Sequence, residues 1–119
     1  MLRVFFICSV ILLAYGLFRP EPIPVLFNGF DLLAHAGSFF VVTLLGVASS
    51  GPRVKMIMVL SLFIFALLAE PAQQWLQPSR FYSVYDHVAN VSGFFLGFGV
   101  TGFLHRVNTL RRLNRNTSF

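Results

Sequence analysis

The sequence predicts an all-α fold: a polytopic membrane bundle of four transmembrane helices with both termini cytoplasmic. Three observations predict it. First, the 119 residues are 56% hydrophobic and only 11% charged, with 15 phenylalanines. Soluble domains carry about a quarter charged residues, and a soluble globule of this length could not hide so much apolar surface. Second, the apolar residues fall into four runs, residues 4–18, 32–47, 56–69 and 88–104. Third, the cations are one-sided. With four spans, Arg3, Arg53, Lys55, Arg106, Arg111, Arg112 and Arg115 share one side, and only Arg19 and Arg80 lie on the other. Short cytoplasmic segments are enriched in Lys and Arg, so the first side is cytoplasmic.

The runs divide the chain into one transmembrane domain, residues 1–105, and a basic cytoplasmic tail, residues 106–119. Each run is somewhat shorter than the roughly 20 residues that cross a bilayer core; snorkelling of flanking Arg and Lys makes up the difference. Val4–Phe18 follows an arginine, as the apolar part of a signal peptide does. Ala14 and Gly16 before the bulky Leu17 make a poor cleavage pair, so it reads as a retained helix. Pro20, Pro22, Pro24 and Asn28-Gly29 make an extended loop and turn before the second span. Ser49-Ser50-Gly51-Pro52 is a tight break before the third. Residues 71–85 read as the longest loop, and its Trp75, Tyr82 and Tyr85 suit the headgroup belt. Pro71 marks a kink or a new helix start.

All four acids, Glu21, Asp31, Glu70 and Asp86, fall on the outer side. Asp31 and His35, Glu70 and Gln74, and Asp86 and Asn90 are each four apart, so each pair shares a helix face. Gly93 and Gly97 continue the Asp86–Asn90 face and form a small-residue pair that lets another helix approach closely. Counting from the cytoplasmic cations at about 1.5 Å per residue, His35, Glu70 and Asn90 lie about 27, 22 and 24 Å away. In a core about 30 Å thick, they meet near the outer interface. A carboxylate at that depth needs a partner, and Arg80 is placed to bridge Glu70 and Asp86 or to clamp an anionic headgroup.

His35, Glu70 and Asp86, with Asp31 beside them, are candidate ligands for a hard or borderline cation such as zinc or manganese. No His-rich spacing motif supports a metal, and no cofactor is expected. Ser38 and Ser83 lack a nucleophile context, so the reading leans against an enzyme. Acid–base chemistry by Glu70 or Asp86 with His35 stays chemically open. Cys8, the lone cysteine, reads as a small lipid- or helix-facing residue. The basic tail, without interleaved aromatics, is a juxtamembrane anchor to anionic lipid and excludes nucleic acid as the expected partner. The size is that of a small multidrug exporter, but Val4–Phe18 holds no ionisable residue.

The ordered set Asp31-x3-His35, Glu70-x3-Gln74, Arg80, then Asp86-x3-Asn90-x2-Gly93-x3-Gly97, resembles the VanZ-like family over roughly residues 28–100. Members of that family are small integral membrane proteins of bacteria, and its founding member is associated with resistance to the glycopeptide teicoplanin. The resemblance implies a multi-pass protein of the bacterial inner membrane in which Asp31, His35, Glu70, Gln74, Arg80, Asp86 and Asn90 are the polar signature. It supplies no mechanism. Two expectations follow. In one, the outward site engages an anionic envelope lipid or lipid-linked cell-wall precursor and affects glycopeptide susceptibility. In the other, the protein is a structural or accessory subunit whose polar network only locks helix packing.

Overall fold

The computed structural model describes residues 1–21, 24 and 26–117. Pro22 of the expected loop, and Ser118 and Phe119 of the expected tail, lie outside them. The described residues form an all-α bundle: α1 (Leu2–Phe18), α2 (Phe30–Ser49), α3 (Pro52–Leu76) and α4 (Val84–Thr117). α2, α3 and α4 are each long and apolar enough to cross a membrane. α1, at 17 residues, spans only about 25 Å, the shortest of the four. Apolar side chains stay exposed along all of them, including Leu12, Met56, Ile64 and Phe103, as a lipid-facing surface requires. The chain is a multi-pass membrane protein.

Local chemistry sets the helix ends. Gly29 takes the left-handed backbone that starts α2, with φ of 83°, which only glycine adopts without strain. Pro52 occupies the first turn of α3, where its missing N–H costs nothing. The Ser50 hydroxyl donates to the Gly46 carbonyl at 2.7 Å and satisfies one of the last free acceptors of α2.

Two boundaries differ from expectation. α3 does not stop at residue 69. It runs through Pro71 to Leu76, so the expected 71–85 loop shrinks to residues 77–83. One buried stripe, Leu62, Ala66, Ala69, Glu70 and Gln73, continues past the proline, and its packing outweighs the hydrogen bond the proline forfeits. α4 starts at Val84 rather than 88 and continues through the basic segment to Thr117. The tail is therefore no separate element. At 34 residues, α4 is about 51 Å long, so its arginine-rich end projects beyond a 30 Å core.

α2 and α4 run parallel and make the most extensive helix pair. A Cβ on Gly93 would run into the Ala36 carbonyl oxygen, and one on Gly97 would sit 2.6 Å from the Phe40 carbonyl oxygen and 3.0 Å from Thr43 Cβ. The expected glycine pair thus lets α4 lie directly on the α2 backbone. α1 packs on α2 and touches α3, while no Cα of α1 lies within 8 Å of one in α4. The four helices together gather the ends carrying Arg19, Asp31, Glu70 and Asp86 at one end of the bundle, with Arg3, Arg53, Lys55 and Arg106 at the other.

Gly93→Ala should lower stability by about 1–3 kcal/mol, the usual range for overpacking. Gly99→Ala, at a position with nothing within 4 Å, should be neutral or mildly stabilising through helix propensity. Thermal unfolding in detergent checks the pair, and equal midpoints would contradict the close approach.

Candidate functional site

The acid-bearing end of the bundle holds two polar groups with different partners. The first belongs to α3. Gln73 Nε2 donates to the Leu17 carbonyl at 2.6 Å, and Gln77 Nε2 donates to the Arg19 carbonyl at 2.6 Å. Both acceptors lie at the C-terminal end of α1, where helix carbonyls lack intrahelical partners. Glu70 Oε1 accepts the backbone N–H of Ser83 at 2.9 Å. Ser83 is the N-cap of α4, and its hydroxyl accepts the Asp86 N–H at 3.2 Å. In a capping box, the acid three residues after the cap reaches back to the cap N–H. Here Glu70 of α3 supplies that acceptor, which leaves the Asp86 carboxylate free to face elsewhere.

The second group faces inward from α2, α4 and the 77–83 loop. His35 Nδ1 donates to Asn90 Oδ1 at 2.8 Å. Both residues are buried, at 7% and 0% exposure. The opposite ring nitrogen, Nε2, lies 3.7 Å from Asp31 Oδ1 and 3.9 Å from Asp86 Oδ2, beyond hydrogen-bond reach. A guanidinium nitrogen of Arg80 lies 3.9 Å from Asp31 Oδ2 and 3.9 Å from Asp86 Oδ2. One imidazole nitrogen, two carboxylates and one guanidinium thus surround a common point. Asp86 is buried, Arg80 is partly buried and Asp31 is exposed.

This group lines a cavity of about 590 Å³, a size suited to a small ligand or headgroup. Leu12, Leu13, Gly16 and Leu17 of α1 form one wall; Ala34, His35 and Ser38 of α2 and Asp86 of α4 form the other. Arg19, Glu21 and Arg80 also line it. Because α1 and α4 do not pack together, the bundle is least closed on this side. Exposed Trp75, Phe81 and Tyr85 crowd the same end, as a headgroup belt would.

Among the residues the sequence singles out, Asp31, His35, Arg80, Asp86 and Asn90 come together. Glu70 does not join them: it is buried at 1% exposure and engaged by the α4 cap, so Arg80 bridges Asp31 and Asp86 instead of Glu70 and Asp86. The compact ligand set is accordingly Asp31, His35 and Asp86, whose donor atoms lie within 4.8 Å of one another, in place of His35, Glu70 and Asp86. Gln74 is exposed and its neighbour Gln73 is the buried one, because Gln73 continues the Ala66–Ala69 stripe. That small-residue stripe is the signal that distinguishes the two glutamines. Ser83 and Gln77 also escaped the sequence reading. His87 and His105 stay outside the group.

No family model, curated protein or solved structure matches this chain.

Glu70→Ala should cost about 1–3 kcal/mol by leaving the cap N–H unpaired, whereas Glu70→Gln keeps an acceptor oxygen and should retain most of the stability. Chemical or thermal unfolding of both variants in detergent provides the measurement; equal losses would rule out a cap role for Glu70.

Proposed function

We propose that this protein is a VanZ-like binding protein of the bacterial inner membrane that takes up the phosphate-bearing headgroup of an envelope lipid or lipid-linked cell-wall precursor, and thereby alters glycopeptide susceptibility. The observation that carries this reading is the cavity at the arginine-poor, acid-bearing end of the bundle. It joins an apolar wall from α1 to the guanidinium groups of Arg19 and Arg80. Such a pairing suits an amphiphile whose chains stay in the bilayer while its headgroup turns inward between α1 and α4. Arg80 presents a planar fork to phosphate oxygens, and Asp31 and Asp86 orient it from behind. The strong bias of basic residues to the opposite end supports an outward-facing cavity. The ordered motif shared with the VanZ-like family supports the bacterial setting.

A structural reading has its own observation in its favour. Glu70, Gln73 and Gln77 all bond across helix or loop boundaries, and these three bonds tie α3 to α1 and to the start of α4. They occupy the two buried polar side chains of α3, Glu70 and Gln73, and its C-cap, Gln77. They leave Asp31, His35, Arg80 and Asp86 to the cavity.

Arg80→Ala should reduce co-purifying anionic lipid about tenfold or more, the effect of losing charge-assisted hydrogen bonds worth roughly 1.5–3 kcal/mol. Native mass spectrometry reads the lipid, and glycopeptide susceptibility of an expressing strain reads the phenotype. Unchanged lipid occupancy and unchanged susceptibility in a well-folded Arg80→Ala protein would sink this function.

A further inference from the structure

The cavity lining sets two arginines, Arg19 and Arg80, against three carboxylates, Glu21, Asp31 and Asp86. With His35 neutral, its net charge is negative, and a phosphate brought there meets two carboxylates beside Arg80. We propose that Asp31, His35 and Asp86 form a binding site for one divalent metal ion, of the zinc or manganese class, at the base of this cavity.

Three observations converge on it. The hydrogen bond from His35 Nδ1 to Asn90 Oδ1 uses the Nδ1 proton, so the neutral imidazole carries its lone pair on Nε2. Ligating histidines are held this way by a partner on the other ring nitrogen. Nε2 belongs to a side chain more than nine-tenths buried, makes no hydrogen bond, and is aimed between two carboxylate oxygens at 3.7 and 3.9 Å. In the neutral ring that lone pair faces two carboxylates, which Arg80 offsets only from 3.9 Å, and a cation among the three makes each of those contacts attractive. The spacing also fits. Ligand atoms at about 2.0–2.2 Å from one ion lie roughly 3.0–3.6 Å from each other; here the carboxylate oxygens stand 3.7 and 3.9 Å from Nε2 and the whole set lies within 4.8 Å, so binding an ion draws the three side chains together. Asp31, the half-exposed member, has room to make that movement.

One nitrogen and two carboxylate oxygens match the mixed donor set of zinc and manganese sites. Three protein ligands leave at least one coordination position open, as in sites that bind an exogenous oxygen. That position faces the cavity beside Arg80. A divalent ion turns the net negative cavity positive, so a phosphate oxygen would meet the metal and the guanidinium together. This last step rests on the proposed headgroup function; the metal site itself does not.

The test uses the full chain in nanodiscs with any affinity tag removed. Zinc and manganese binding is measured by equilibrium dialysis with elemental analysis, in the absence of added lipid ligand. One ion per chain is expected. Asp31→Asn, Asp86→Asn and His35→Gln should each weaken binding at least tenfold, and Asn90→Ala about 10–100-fold. Glu70→Gln should bind as the native chain does. Substitution of the buried His35 or Asp86 risks unfolding, so Asp31→Asn, at an accessible carboxylate, carries the test independently. Failure to bind one ion per chain, or binding indifferent to Asp31→Asn, overturns the proposal. Anionic-lipid occupancy is measured separately with and without chelator. Stoichiometric metal without lipid leaves the site standing and removes the headgroup function; lipid occupancy without stoichiometric metal does the reverse.

Discussion

The approach of α4 to the backbone of α2 is the constraint on which the rest of the acid-bearing end depends. Two glycines one helical turn apart, Gly93 and Gly97, bring α4 against the carbonyls of Ala36 and Phe40. In lipid there is no hydrophobic force between helices, so close van der Waals contact over small residues supplies the association. The parallel registry of this contact decides what meets next to it. His35 lies one residue before Ala36 and Asn90 lies three before Gly93, so the same contact sets them 2.8 Å apart. Asp86, one turn further out on α4, then comes level with Asp31 and His35 of α2. Any side chain at Gly93 would push all of these groups apart together.

Around that pair, the polar residues divide by helix. Glu70 and Gln73 of α3 and its C-cap Gln77 pair with backbone groups of neighbouring elements and hold the bundle. Asp31 and His35 of α2, Asp86 and Asn90 of α4 and Arg80 of the 77–83 loop pair with one another around the cavity. The division resolves a question that composition leaves open, since any buried charge must be paired whether or not it acts. Glu70, Gln73 and Gln77 each bond a backbone group, while Glu70 Oε2 and Gln73 Oε1 stay buried without a partner among the described residues. The carboxylates of Asp31 and Asp86 engage only at 3.7–3.9 Å, longer than a direct charge-assisted hydrogen bond, which is the looseness a ligand-accepting group requires.

Much of this was legible in the sequence, for identifiable reasons. Helix existence followed from apolar run length, and the common level of His35 and Asn90 followed from counting inward from Arg53 and Arg106, because rise per residue is constant. The Gly93–Gly97 contact followed from spacing alone. Four things were not legible. Pro71 carries a local signal to stop, and only the packing of Ala66, Ala69 and Gln73 overrides it. The choice of Gln73 over Gln74 depends on which side of that stripe is buried, because both lie within a turn of Glu70. The partner of Arg80 depends on the path of a loop, for which no periodicity exists. The extent of α4 was underestimated because the charged segment from Arg106 to Arg115 has no apolar run to mark it, while nothing in it breaks a helix.

The cap of α4 has a consequence for when the acidic group becomes available. On an isolated α4, Asp86 is the nearest acid to the Ser83 N–H, and the local geometry would direct its carboxylate back onto its own helix end. With α3 delivering Glu70 to that N–H, the Asp86 carboxylate is left to face His35. The arrangement at the acid-bearing end is thus tied to assembly: the inward position of the Asp86 carboxylate goes together with the docking of the third helix on the start of the fourth.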